Sequence, residues 1–268
     1  MSDVDTAFTG SVPAIYDHLL GPLLFEPYAE EIGRRVRSLS PGHVLETAAG
    51  TGIVTETLHQ ALPDADIIAT DLNPAMLDVA AQRVRSEKVS FEPADAQHLR
   101  FADGTFDLVV CQFGVMFFPD KVKGNSEAHR VLRDGGQYIA VIWDRLDRNP
   151  VSQLVHDAVA KLFPNDPPQF LARTPFGYSD PDTIDRDLRA AGFRHVDIDT
   201  VELKSLETSP RDAALGLVTG CPLRAEIEER DASALDQAVQ AAEQALKSLD
   251  GSTGFDSRLS AHVVTAIK

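Results

Sequence analysis

His43-Val44-Leu45-Glu46-Thr47-Ala48-Ala49-Gly50-Thr51-Gly52 carries an apolar pair into an acid and then into a run of tiny residues. Beyond it the apolar spacing turns helical, at Ile53, Val54, Thr57, Leu58, Ala61 and Leu62. This pattern predicts a buried strand, a tight turn and a helix start. A turn without bulky side chains lets a ligand approach its backbone closely. The helix start adds unpaired N–H groups and the positive end of a dipole. Glu46 falls at the carboxyl end of the strand, where open α/β sheets hold their ligands. A dinucleotide fingerprint would need a third glycine at Thr55 or Ile53, depending on register, and neither position supplies it. A P-loop would need Gly-Lys-Ser/Thr, which is absent.

Outward from this stretch the chain alternates strand and helix. Asp66-Ile67-Ile68-Ala69-Thr70-Asp71 reads as a second strand ending in an acid, 19 residues beyond Gly52. Asn73-Pro74 supplies a cap and a first-turn proline for the next helix, through Met76, Leu77 and Val84. Val89–Glu92 is a short third strand, and Phe106–Gln112 a nearly continuous apolar fourth. A helix over 121–132, a turn at Asp134-Gly135-Gly136 and a fifth strand over Gln137–Trp143 follow. Such alternation predicts a parallel sheet with helices on both faces. Asn149-Pro150, Asp180-Pro181 and Ser209-Pro210 each mark a helix start. Ser233 with Asp236 reads as a capping-box variant opening a helix to about Leu249. An alternating strand over Val196–Leu203 and a closing strand over Ala261–Ile267 complete the pattern. Pro22 and Pro27 are expected to break the helical stretch 11–39 into helices at Ile15–Leu20 and Tyr28–Leu39. The expected architecture is α/β: a Rossmann-like, seven-stranded, mostly parallel sheet with helices on both faces. Its core spans 40–145 with 181–207 and 258–268, and the helices of 11–39, 150–175 and 209–250 are read as a cover over the carboxyl edge.

Composition narrows the function classes. The chain has 268 residues and is 43% hydrophobic, which suits one large globular domain. A formal charge of −16 repels phosphate backbones, so nucleic acid is a poor substrate and anionic membranes are disfavoured. No run of about 18 apolar residues occurs, so no membrane insertion is expected. The start, Met1-Ser2-Asp3-Val4-Asp5, lacks the basic and apolar regions of a signal peptide. Cys111 and Cys221 have no metal-ligand spacing. A cytoplasmic protein with free thiols and no metal is expected.

With these stretches in place, the chain resembles class I S-adenosylmethionine (SAM) methyltransferases, in the small-molecule branch of the ubiquinone and menaquinone C-methyltransferases. The resemblance rests on Val44 through Gly52, on Asp71-Leu72-Asn73-Pro74-Ala75-Met76-Leu77, on Ala94-Asp95-Ala96-Gln97-His98-Leu99 and on Phe106 through Phe118. Val131–Gly136 and Leu188–Phe193 are also similar to family runs, and Ala48 stands where the family has its first glycine. The resemblance implies that the backbone of Ala48, Gly50 and Thr51 wraps the methionine part of SAM, with Glu46 beneath its cationic end. Asp71 would accept from the ribose hydroxyls, Leu72 and Met76 would pack on the adenine, and Asp95 with the Ala96 N–H would hold the adenine edge. Gln112 and Phe113 would face the methionine end and the incoming acceptor. SAM is then the cofactor and S-adenosylhomocysteine the product.

Phe113, Met116, Phe117, Phe118 and Trp143 gather at the ends of strands four and five, with Phe170, Phe176 and Phe25 as further candidates to close over them. A pocket built from them would take a small, apolar or aromatic acceptor. No Asn/Asp-Pro-Pro-Tyr-type run follows strand four, which argues against exocyclic base amines as acceptor. In-line methyl transfer needs mainly orientation and water exclusion, so no catalytic residue is assigned. His18, Tyr16, Tyr28 and His156 are the candidate bases. A non-catalytic SAM-binding module and a nicotinamide-dependent reductase are the competing readings.

Overall fold

The computed structural model describes residues 12–206, 208–251, 254–255 and 257–268. The acidic start Met1–Asp5 lies outside them. Two compact units emerge, and the larger comprises residues 28–143, 178–201 and 261–268. Its sheet has seven strands: β1 (His43–Thr47), β2 (Asp66–Asp71), β3 (Val89–Pro93), β4 (Phe106–Gln112), β5 (Leu132–Trp143), β6 (His195–Lys204) and β7 (Arg258–Ile267). Their order is β3-β2-β1-β4-β5-β7-β6. The first five strands pair in parallel, and β7 runs antiparallel to β5. The apolar runs explain this: Val44, Leu45, Leu108, Val109 and Val110 are all buried, as strands covered on both faces require. The strand order reverses between β1 and β4, and at such a switch point the connections diverge and leave a crevice at the carboxyl ends.

Helices α2 (Glu26–Val36), α3 (Ile53–Ala61), α4 (Pro74–Arg83), α5 (Lys121–Val131) and α8 (Pro181–Ala190) belong wholly or mostly to this unit. The expected caps form: Asn73 accepts from the Ala75 N–H at 3.0 Å, and Asp180 from the Thr183 N–H at 3.1 Å. Strand β5 begins earlier than its turn residues suggest. Asp134-Gly135-Gly136 is absorbed as an irregularity between two registers, Phe106 opposite Leu132 and Leu108 opposite Gln137. Gly135 takes a φ of 77° and donates to the Lys268 carbonyl at 3.1 Å, so the turn is held by the chain just past β7.

The second unit draws on described residues within 12–27, 144–177 and 202–260 and is largely helical. Neither Pro22 nor Pro27 breaks its first helix. After α1 (Val12–Ile15) the chain widens into a π-helix over Tyr16–Phe25 and runs on into α2. A π turn bonds five residues back, so the Pro22 carbonyl would await the N–H of residue 27, and Pro27 has none. The Leu206 N–H fills that role at 2.9 Å, and the Ser205 hydroxyl donates to the Leu23 carbonyl at 2.6 Å. The remaining helices are α6 (Pro150–Leu162), α7 (Phe170–Arg173), α9 (Pro210–Thr219), α10 (Leu223–Asp231) and α11 (Leu235–Leu246). The expected Ser233–Asp236 box does not form. The Ser233 hydroxyl donates instead to Asp231 at 2.6 Å, making a short 3-10 turn before α11. Glu226, buried in α10, accepts from the Gln169 N–H at 2.8 Å, the Phe170 N–H at 3.1 Å and Arg173 at 2.8 Å, which holds the start of α7.

Candidate functional site

The carboxyl edge of β1 to β4 gathers most of the residues singled out in the sequence. The turn after β1 is left-handed at Ala48 (φ 54°), Gly50 (56°) and Gly52 (82°). Ala48 therefore carries a side chain in a conformation that costs an L-residue about 1–2 kcal/mol. The turn is stitched to β2: the Ala49 N–H donates to the Thr70 carbonyl and the Gly50 N–H to the Asp71 carboxylate, each at 2.9 Å. Asp71 accepts a further bond from the Asn73 N–H at 2.8 Å. Burial pushes its carboxyl up, against the backbone N–H groups of Asn73, Gly50 and Leu72 that hold it ionised. Gly52 starts α3 with no side-chain acceptor on the helix N–H groups.

Glu46 lies beneath this turn at 1% exposure. Its carboxylate accepts from the Thr55 hydroxyl at 2.6 Å, and its carbonyl from Thr70 at 2.9 Å. Burial pushes its pKa up to about 8; the Thr55 bond opposes that rise and the Asp71 charge adds to it. Ala94 follows β3 and donates to the Asp71 carbonyl at 3.0 Å, which brings Asp95 and Ala96 beside the end of β2. Asp95 is already held by its own loop. It accepts from the Gln97 N–H at 2.8 Å and lies 3.1 Å from His98 Nδ1. Burial raises its pKa less than these bonds lower it.

The turn after β4 is different in kind. Phe113 adopts φ 53°, a rare conformation for so large a residue. Its ring stacks on Trp143 with centroids 3.8 Å apart and planes 6° from parallel. Tyr28 meets both rings edge-on, at 5.4 Å and 5.7 Å. The Tyr28 hydroxyl donates to the Val201 carbonyl at 2.8 Å, so it is held as a structural donor. Met116 is buried in the short helix Val115–Phe117, and Phe118 packs on Gly124 of α5. Phe25, Phe170 and Phe176 are buried residues of the second unit, where Tyr16 stacks on Phe25 at 4.7 Å. His18 is exposed there, and the half-buried His156 has an Nδ1 with no hydrogen-bond partner. Among the described residues no group of three or more His, Cys, Asp or Glu could hold a metal ion, and no helix is long and apolar enough to cross a membrane.

Residues 44–136 match a family model described as a methyltransferase domain. The demethylmenaquinone methyltransferase of Deinococcus radiodurans is 32% identical over 171 residues, which cover 58% of this chain and 69% of that protein. A ubiquinone/menaquinone biosynthesis C-methyltransferase from a Geobacter species is 30% identical over 171 residues, covering 59% of this chain and 71% of that one. In fold the chain resembles the Haemonchus contortus phosphoethanolamine N-methyltransferase 2 solved with S-adenosylhomocysteine. The TM-score is 0.62 at 16% identity, over 99% of this chain and 59% of that one. The chain belongs to the class I SAM-dependent methyltransferases.

It is thus an enzyme of the methyltransferase class, and its cofactor is SAM. Within this methyltransferase the structure brings together Glu46, Ala48, Gly50, Thr51, Asp71, Asp95 and Ala96 at one sheet edge, with Gln112 and Phe113 at the end of the adjacent β4. Leu72 stands out at 63% exposure, one of two exposed large hydrophobics among the described residues. Met76 is only 4% exposed and offers little surface to a ligand. Two residues of the site were not legible beforehand. Arg83, at the end of α4, donates to the Thr51 carbonyl at 3.1 Å and to Glu56 at 3.0 Å, pinning the turn from behind. Gly114 lies against Ala48, and the only sequence signal for it is a glycine inside an aromatic run.

Proposed function

We propose that this methyltransferase transfers the methyl group of SAM to a small, largely apolar or aromatic acceptor, of the quinone-like kind named for its relatives. One observation carries the cofactor half of this reading. An accepting carboxylate (Asp71), an exposed apolar side chain (Leu72) and a left-handed glycine (Gly50) adjoin one another at the switch point. A side chain added at Gly50 would meet no atom within 4 Å, so the turn faces open space that a ligand can fill. The three features suit a ribose, a base and an amino-acid tail in turn.

Bound SAM supplies an electrophilic methyl on a sulfonium, which leaves as a neutral thioether when an acceptor takes the methyl. The chain's own part is to bind, orient and exclude water. Asp71, already held by the backbone N–H groups of Asn73, Gly50 and Leu72, keeps acceptor capacity for the ribose hydroxyls. Leu72 covers one face of the adenine, and Asp95 with the Ala96 N–H meets its edge. Glu46 places a buried carboxyl under the cationic end, where a neighbouring positive charge favours its ionised form. Gln112 and Phe113 border the methionine end. The buried Phe113–Trp143 stack backs the end of β4 with aromatic rings, which suits an apolar acceptor. No general base is required of an acceptor that arrives as an enolate or phenolate.

Calorimetric titration with S-adenosylhomocysteine tests the cofactor half, with NADH as control and Asp71→Ala beside it. Micromolar binding that weakens in the variant supports it, and no heat sinks it. Incubation with labelled SAM and a short-chain demethylmenaquinol tests the acceptor half. A methylated ring carbon is the expected product, and transfer only to hydrophilic amines would overturn the acceptor class.

A further inference from the structure

Gly114 has a backbone that any residue could adopt, with φ −100° and ψ −39°. Its identity is therefore not demanded by conformation. It is demanded by space: a Cβ there would lie 2.5 Å from the Ala48 Cβ and 2.7 Å from Cys111 Sγ, closer than real contacts allow. The two turns that leave β1 and β4 thus meet at this one point. It lies across the switch point, where Glu46 of β1 is in register with Val110 of β4. Ala48, itself left-handed, has no room to retreat freely, because the next two residues are bonded to β2 through Thr70 and Asp71. Gly114 is fixed on its own side, since its carbonyl accepts from the Phe117 N–H at 2.9 Å and the preceding Phe113 N–H donates to the Val141 carbonyl at 2.8 Å.

We propose that Gly114 is a positioning residue: by lacking a side chain it seats the β4 turn on the Ala48 methyl and so sets the height of the turn that cradles the cofactor. This role rests on the cofactor reading given above. A group at 114 would tilt the Ala48–Gly50 backbone by a few tenths of an ångström or more, a displacement to which binding sites are sensitive.

The test uses a Cys111→Ala parent, which removes the second obstacle and leaves Ala48 as the one close contact. The parent should bind S-adenosylhomocysteine within about threefold of the unmutated chain. Adding Gly114→Ala should weaken binding about tenfold or more. Adding Ala48→Gly to that double variant should restore binding to within about threefold of the parent. Unchanged binding in Cys111→Ala/Gly114→Ala would overturn the proposal, as would a loss that Ala48→Gly leaves in place. If the double variant does not fold, thermal unfolding supplies the readout: recovery of a cooperative transition and of binding on adding Ala48→Gly supports the contact, and no recovery overturns it. If the unmutated chain itself binds no S-adenosylhomocysteine, the cofactor reading falls first and this role with it.

Discussion

Two turns leave the same edge of the sheet with nearly the same strained backbone, at Ala48 (φ 54°) and Phe113 (φ 53°), and they differ in what their side chains add to the anchoring. The first is fixed by polar bonds to its backbone: Asp71 on Gly50, Thr70 on Ala49, Arg83 on Thr51. The second has backbone bonds too, from the Phe113 N–H to Val141 and from Phe117 to Gly114, and adds a side chain that lies flat on Trp143 and edge-on to Tyr28. A turn held by backbone bonds keeps its side chains small and its surface open, as a cradle needs. A turn held by a ring stack buries a large apolar side chain and gives the adjoining edge an aromatic backing. The same conformation thus serves two ends because the anchoring differs.

The comparison can be broken most forcefully at the ring stack. Trp143→Ala removes the surface on which Phe113 rests, and truncating a buried tryptophan costs about 3–5 kcal/mol. Chemical denaturation should show a loss of that size, with weakened S-adenosylhomocysteine binding if the β4 turn relaxes. The polar turn has its own weak point in Glu46. Its carboxyl keeps a proton up to about pH 8, against a usual 4.5. Between those values the folded state binds more protons than the unfolded one, so stability falls as pH rises and levels off above about 8. Glu46→Gln has no proton to release and lacks this fall. The variant should match the wild type near pH 4.5 and exceed it above pH 8 by up to about 5 kcal/mol, read from denaturation midpoints at both ends. Equal pH profiles would mean that the buried acid is not protonated. Asp71→Ala should cost about 1.5–3 kcal/mol of binding, the worth of a hydrogen bond to a charged group. Calorimetry would register that as about a ten- to hundredfold weaker affinity. The smallest effect is expected for Ala48→Gly. Relief of left-handed strain, about 1 kcal/mol, is offset by the freedom glycine adds to the unfolded chain. The melting temperature should stay within about 2 °C, whereas a large drop would mean that the seat of the β4 turn on the Ala48 methyl outweighs the strain relieved.

The same contrast explains what could be read from the residues alone. The β1 turn was legible because a run of tiny residues between an apolar strand and a helical period permits little else. Asn73-Pro74 and Asp180-Pro181 were legible because a cap and a first-turn proline act within one turn of chain. Nothing in Gln112-Phe113-Gly114 marks phenylalanine as left-handed, since that state is imposed by Trp143 and Tyr28 from elsewhere in the chain. Pro22 and Pro27 misled for a related reason. Helix breaking assumes that a lost donor stays lost, and here Leu206 replaces it across the sequence. Asp134-Gly135-Gly136 signalled a turn correctly, yet the Lys268 carbonyl draws it into the strand. Arg83 carried no local signal at all, because its partner Thr51 is set by the crossing of α4 over the turn.

The position of β7 has a consequence for how the molecule is made. This strand is synthesised after both of its neighbours, yet it lies between β5 and β6. During translation β6 therefore has no partner of its own in the sheet until the residues of β7 emerge. Strands β1 to β5 can assemble as the chain is made, while β6 waits with its edge unpaired. Pairings this distant in sequence form slowly and expose aggregation-prone edges meanwhile. The acids Asp197, Asp199 and Glu202, spaced along β6, give that waiting strand a charge that discourages pairing with a neighbouring nascent chain.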